Sequence, residues 1–428
     1  MKLLRTLFVA ASALLVAAAQ AHFVWANFRD AKSREVVVTF AEVPGDSVLS
    51  IMNKVGGRIA VQSKGASKGR TTVPTETTYP WKGTKGVFLG SLDYGVVDHG
   101  QGPYMLTYWF KAVSRPIQAA KAVGKGLEIV ADQHADHWEV KVLMDGKPCP
   151  NAQVVWGSGE AEQKEPASKP VNIPVPGAPK ELPVRAVLEQ KTPGTFEGKA
   201  YPSKKIWSSL VLPAVGQAPK GADESAYLAL QNATMGRETI GHAAPFSCSF
   251  RATNGDQTAT GTVSVDDKDK ITVKVDGVQE EGSKHVTQQI TSLFSHRLGR
   301  EFWKGEGQYS LTWSPKDSGL LSVNDKMQSF YRFDQQGIKM VQRTFGPNIL
   351  VLDIKSSIET PWGGLLSKEY SATQKRVSDG VVTSRLNYKD DFLPFQDEWM
   401  PKSRTVTGDV EGRKITMSVT FFDYKLGS

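Results

Sequence analysis

The chain is predicted to be mainly all-β: two β-sandwich modules, then a curved antiparallel sheet carrying one or two helices. Three observations predict this. Its 428 residues include 39 Gly and 23 Pro, a turn-rich composition. Short β-branched and aromatic runs recur between turn signals. Helical spacing of apolar residues is confined to two stretches, both in the second half.

Residues 1–21 read as a secretory signal peptide. Lys2 and Arg5 precede an apolar run over residues 7–19, and Ala19-Gln20-Ala21 forms an A-x-A cleavage site. No later stretch has the ~18 apolar residues of a membrane span. The mature chain is therefore expected to be periplasmic or secreted, with no transmembrane segment after processing.

The first module is expected over residues 22–123. Residues 36–40 (VVVTF) form a strand core closed by the turn Pro44-Gly45-Asp46. Residues 87–89 and 104–110 are further strands, and in the latter Tyr104, Leu106, Tyr108 and Phe110 share one face by period two. The second module is expected over residues 124–213, with strands at 127–131, 138–144 and 152–156 and a turn at Asp145-Gly146-Lys147-Pro148. That spacing suits a small immunoglobulin-like sandwich. The polar, Pro-rich residues 160–179 read as a long loop.

Residues 214–224 read as a linker, and residues 225–428 as the third module. It opens with a helix over 225–235. A hairpin follows, with strands at 258–265 and 271–275. In residues 287–298, Ile290, Leu293, Phe294 and Leu298 have helical spacing. Alternating strands and turns fill the rest. A long antiparallel sheet with helices packed on it accommodates this order.

The formal charge is +8, dispersed apart from small clusters at residues 64–70 and 111–125. This suits a solvated basic surface or an anionic envelope component; an exported chain is not expected to meet nucleic acid. The two cysteines, Cys149 and Cys248, allow one bridge or two buried thiols.

Cleavage after Ala21 would make His22 the first residue, with its α-amine and imidazole able to chelate copper or nickel. His99, in Val97-Asp98-His99-Gly100, could complete a three-nitrogen histidine brace, with Tyr108, Tyr104 or Asp98 as a weaker axial ligand. A second group, Asp132-Gln133-His134-Ala135-Asp136-His137, carries four metal-capable side chains, but it lies between two strands and a polar connecting loop is the favoured reading. His296-Arg297 could hold an anion, but the helix dipole alone favours both residues at a C-terminus. Trp81, Trp109, Trp138 and Trp156 suit a sandwich core better than a carbohydrate platform. The chain has no G-x-S-x-G elbow, H-E-x-x-H pair or phosphate loop.

Residues 1–213 resemble a family of exported bacterial domains associated with the periplasmic component of nickel/cobalt uptake. The resemblance rests on Ala21-His22-Phe23-Val24-Trp25, on Asp93-Tyr94-Gly95-Val96-Val97 leading to Tyr108-Trp109-Phe110-Lys111-Ala112, on Val142 through Pro148, and on Gly198-Lys199-Ala200-Tyr201. The second module also looks like the carboxypeptidase-regulatory type of sandwich, an accessory fold. Residues 225–428 resemble a second bacterial family of unknown function, through Thr291-Ser292-Leu293-Phe294-Ser295-His296-Arg297, Trp399-Met400-Pro401 and Phe421-Phe422-Asp423-Tyr424. Its architecture looks like the half-barrel of periplasmic lipoprotein carriers.

The expectation is an exported, non-catalytic binding protein for nickel, cobalt or copper, with His22 and His99 as metal ligands. Envelope components or a metal transporter are its expected partners. Two alternatives stand beside it: a histidine-brace copper enzyme oxidising polysaccharide, and a structural or lipid-carrier-like envelope protein.

Overall fold

In the computed structural model, residues 22–29, 35–45, 49–63, 67–81, 86–100, 102–157, 161–240, 245–299, 301–334, 337–361, 363–396 and 398–427 are described. The expected signal peptide, residues 1–21, lies outside them. The chain is mainly β, as its composition predicts. It divides into two compact units. The first ends at Val215; the second is Gly216–Ser428 together with the short turn His134–Asp136.

The first unit begins with β1 (Phe23–Phe28), β2 (Glu35–Ala41), β3 (Ala60–Val61), β4 (Arg70–Val73) and β5 (Glu76–Pro80). Next come the long hairpin β6 (Val87–Val97) and β7 (Tyr104–Val113), then β8 (Leu127–Gln133), β9 (His137–Met144) and β10 (Lys147–Pro148). β11 (Gln153–Trp156), β12 (Gln163–Pro166) and β13 (Val171–Pro174) follow. The unit closes with β14 (Lys180–Gln190), the small pair β15 (Gly194–Phe196) and β16 (Lys199–Tyr201), and β17 (Lys204–Val215).

Seven of these strands form one sheet in the order β12-β11-β14-β17-β7-β6-β3. β7 and β17 run parallel, with Trp207 opposite Tyr108. Strands from both expected modules thus share one sheet, and the expected boundary at residues 123 and 124 falls inside one compact unit. A parallel pair needs a long crossover; here it spans residues 114–203, so no local turn signal announces it. Residues 160–179, expected as a loop, contain β12 and β13, each recruited by a neighbour: β12 by β11 and β13 by β9.

Alternation decides what each face of β7 buries. Leu106, Tyr108, Phe110 and Ala112 pack with Phe23, Trp25, Val36, Val38 and Phe40 of the sheet β1-β2-β5-β4. The opposite face carries Lys111, whose ammonium is fully buried 3.0 Å from Glu128 on β8.

Among its described residues, the second unit contains an antiparallel sheet of twelve strands. It starts with β18 (Phe246–Asn254), β19 (Gln257–Val265) and β20 (Ile271–Asp276). It continues through β21 (Leu311–Ser314), β22 (Asp317–Val323), β23 (Phe330–Asp334) and β24 (Gly337–Phe345). β25 (Asn348–Glu359), β26 (Leu365–Arg376), β27 (Val382–Phe395), β28 (Glu398–Val410) and β29 (Arg413–Leu426) complete it. The order is β20-β19-β18-β29-β28-β27-β26-β25-β24-β23-β22-β21, with last strand β29 beside β18. A twisted sheet this wide curls.

Two helices cover parts of its inner face. Glu280–Arg297 packs Val286, Ile290, Leu293 and Phe294 against Phe250, Val406, Met417, Val419 and Phe421. Glu224–Met235 packs Ala226, Tyr227 and Leu230 against Leu311, Leu321, Val323 and Tyr331. Asp223 caps the second of these, accepting a bond from the Ala226 amide at 3.0 Å.

Candidate functional site

In the first unit, His22 directly precedes β1. Its ring stacks on Phe40, with centroids 6.3 Å apart, and its carbonyl accepts a bond from the Tyr108 hydroxyl at 3.2 Å. Phe40 stacks in turn on Tyr94. His99 sits past the end of β6, its ring 6.0 Å from that of Tyr104. Tyr104 and Tyr108 share one face of β7, four residues and hence ~13 Å apart. The structure therefore places both histidines along one aromatic row, each against a different tyrosine. Asp98 accepts bonds from the Gly100 and Gly102 amides and shapes the turn.

Among the described residues, no group of three or more His, Cys, Asp or Glu side chains is gathered for a metal. Asp132 and His137 lie on β8 and β9, where Asp132 pairs with Lys141 at 3.2 Å. His134 lies in the intervening turn, 2.8 Å from Glu224. This is the connecting-loop arrangement. Trp81 and Trp138 are buried, and Trp109 presses on Gly126, where a Cβ would clash with its ring. Cys149 and Cys248 are free and buried; burial pushes the Cys248 thiol up to about 12, which keeps it protonated and unreactive.

The second unit presents a different kind of site. One inner-face row runs Tyr331, Val341, Leu352, Ala372 and Leu386, strand to strand. Tyr331 belongs to the core under one helix and Leu386 to the core under the other. Between them, Leu350, Leu352 and Ile354 alternate onto the same inner face of β25 and are only half-buried.

A guanidinium borders this strip. Arg343 lies opposite Leu350. One of its terminal nitrogens reaches Glu306 at 2.9 Å and the Tyr331 hydroxyl at 2.8 Å. Its Nε is buried and has no partner among the described residues. Arg237 donates to the His296 carbonyl at 2.9 Å, and the Glu306 carboxylate acts on it electrostatically. Arg237 and His296 both keep surface open to water. Burial lowers the pKa of Arg237, and it pulls His296 down to about 4, with Arg237, Arg404 and Arg343 adding repulsion.

Other inner-face charges are structural. Arg404 makes a two-pronged pair with Asp390, at 2.8 and 2.7 Å, and also reaches Tyr370 and the Gln289 carbonyl. Arg297 bonds the Glu238 and Trp399 carbonyls. Arg297 thus ties the end of this helix to the chain at Glu238 and Trp399. The sequence reading missed Arg237, Arg343 and the β25 strip. Apolar residues occupy both faces of Ile349 through Leu352, so alternation alone does not tell which face is inner.

Residues 222–426 match the model of a family described as protein of unknown function (DUF3386). The match covers nearly all of the second unit. The curated proteins contain no match to the chain.

Proposed function

We propose that the chain is an exported, non-catalytic binding protein whose second unit holds an elongated apolar ligand with an acidic end. The observation carrying this reading is the half-buried strip Leu350, Leu352 and Ile354, lying between two helix-covered cores and bordered by Arg343, with Arg237 near enough to Arg343 to feel its charge. Apolar side chains gain from being covered, at about 25 cal/mol per Å². A guanidinium with an unsatisfied buried N–H gains from an anion. A carboxylate on an alkyl chain supplies both. Export rests on the leader-like residues 1–21.

The test uses residues 22–428. Organic extraction and mass spectrometry should recover a co-purified amphiphile. In solution, a long-chain fatty acid should displace a fluorescent apolar probe. Leu352→Arg should abolish displacement. Arg237→Gln should weaken the acid roughly tenfold, the value of one charge-assisted bond, while leaving the matching alcohol unaffected. No displacement by either compound overturns the reading.

Metal capture is a second reading, favoured by the seating of His22. Its imidazole is stacked and its carbonyl held, so cleavage after Ala21 would place an amine beside a fixed ring nitrogen. Copper, nickel or cobalt bound there would be lost on His22→Ala, or on adding one residue before His22. Calorimetry of the mature chain reads both, and unchanged affinity in the extended form removes this reading.

A further inference from the structure

Four of the nine exposed large hydrophobic side chains among the described residues stand together: Phe345, Val377, Val381 and Val382. They crown two adjacent hairpin tips. The turn from β24 to β25 pairs Phe345 with Asn348, and Asn348 pairs with Arg376 at the end of β26. The turn from β26 to β27 is tied back by Val377 N–H to the Pro347 carbonyl at 2.7 Å and by Arg376 N–H to the Val381 carbonyl at 3.0 Å. Gly380, at φ 68°, permits the sharp reversal. The tip between β28 and β29 lies alongside, held by Glu411 N–H to the Thr383 carbonyl at 2.8 Å. Singly exposed valines are ordinary, but a contiguous group fixed by backbone bonds marks an interaction surface.

Charge decides the occupant. At these tips Arg376 pairs with Asp379, and Lys414 with Asp409. Lys375, Arg385 and Arg413 make no ion pair among the described residues; Asp409 stands across from Arg385 and Glu411 sits at the next tip, so five cations there face three acids. Apolar side chains ringed by uncompensated cations match the interface of an anionic bilayer. The patch also continues inward. Phe345 shares the inner face with Arg343 and Val341 by alternation, and Arg343 faces Leu350. The apolar strip therefore opens at this rim.

We propose that these hairpin tips dock the second unit on an anionic membrane surface, with the four apolar side chains entering the interfacial layer. This goes beyond the ligand reading, and the two can fail separately. It names a membrane as the place where an apolar ligand would be taken up or released.

The experiment is co-sedimentation of residues 22–428 with vesicles of phosphatidylcholine alone, or with phosphatidylglycerol added. Binding is expected only with the anionic lipid, and it should fall as salt rises. Reversing Lys375, Arg385 and Arg413 to Glu should weaken it by roughly a hundredfold or more. Changing Val377, Val381 and Val382 to Ser should weaken it about tenfold or more at unchanged charge. Unaltered circular dichroism and melting temperature would show that the variants fold, as expected at exposed tips. Equal binding to both vesicle types, no binding, or charge-reversed protein that binds like the parent overturns the proposal. A dimer of the parent that the serine variant loses would assign the patch to a second copy and overturn it too. Probe displacement without vesicles reads the ligand reading alone: the tip variants should retain it and Leu352→Arg should not.

Discussion

The most demanding residue in the first unit is Lys111. It is fully buried, and burial pulls its pKa down while Glu128 pulls it up. The ammonium also donates to the carbonyls of Ala119, Lys121 and Ile129, and Glu128 accepts the amides of Val123 and Gly124. A buried pair this well satisfied fixes position more than it stabilises, but removing one partner strands the other. Lys111→Met should cost about 3–5 kcal/mol in denaturant unfolding. Adding Glu128→Leu should restore only part of this, since two backbone amides then lose their acceptor. Full restoration would show that the pair does not organise residues 119–124.

His296 makes a second residue-scale prediction. Its folded pKa, about 4, lies below the unfolded value of 6.5. Between those pH values the unfolded chain binds more protons, so stability falls as pH drops from 6.5 toward 4. His296→Gln should flatten that part of the melting-temperature profile. A variant with the parent's slope would place the acid sensitivity elsewhere.

At the scale of elements, the long helix shows what alternation and spacing can carry. Ile290, Leu293 and Phe294 announce it in sequence, and all three are buried. Phe294 meets Phe246 and Phe421, so Phe294→Ala should cost about 3–5 kcal/mol, read in chemical unfolding. The helix Glu224–Met235 and the hairpin of β19 and β20 were equally legible, since their signals are local. The parallel pairing of β7 with β17 was not. It joins strands about ninety residues apart, and no local pattern encodes a partner at that distance. Strands β12 and β13 were hidden for a related reason: Gln163–Pro166 has no apolar face and is a strand only because β11 supplies bonds. The candidate site followed the same rule. His22 was visible because a processing site precedes it. Arg237 and Arg343 were not, because they converge only after β24 and the chain following Met235 come together.

At the scale of the whole molecule, each compact unit buries its own apolar core. The first is centred on Trp25, Phe88 and Phe110; the second unit has two clusters, one around Phe250 and Phe294 and one around Tyr227 and Phe302. A core that closes within one unit makes that unit a cooperative element of unfolding. Calorimetry of residues 22–428 should therefore show two transitions, and single substitutions should assign them. Lys111→Met should lower one and leave the other in place. Arg404→Met should do the reverse, because Arg404 is held by Asp390, Tyr370 and Gln289, all within the second unit. An apolar acid bound on the inner face should raise only the transition that Arg404→Met lowers, by linkage to the folded second unit. Copper or nickel bound at His22 should raise only the other. One cooperative transition shifted equally by both substitutions would mean that the two cores fold as one.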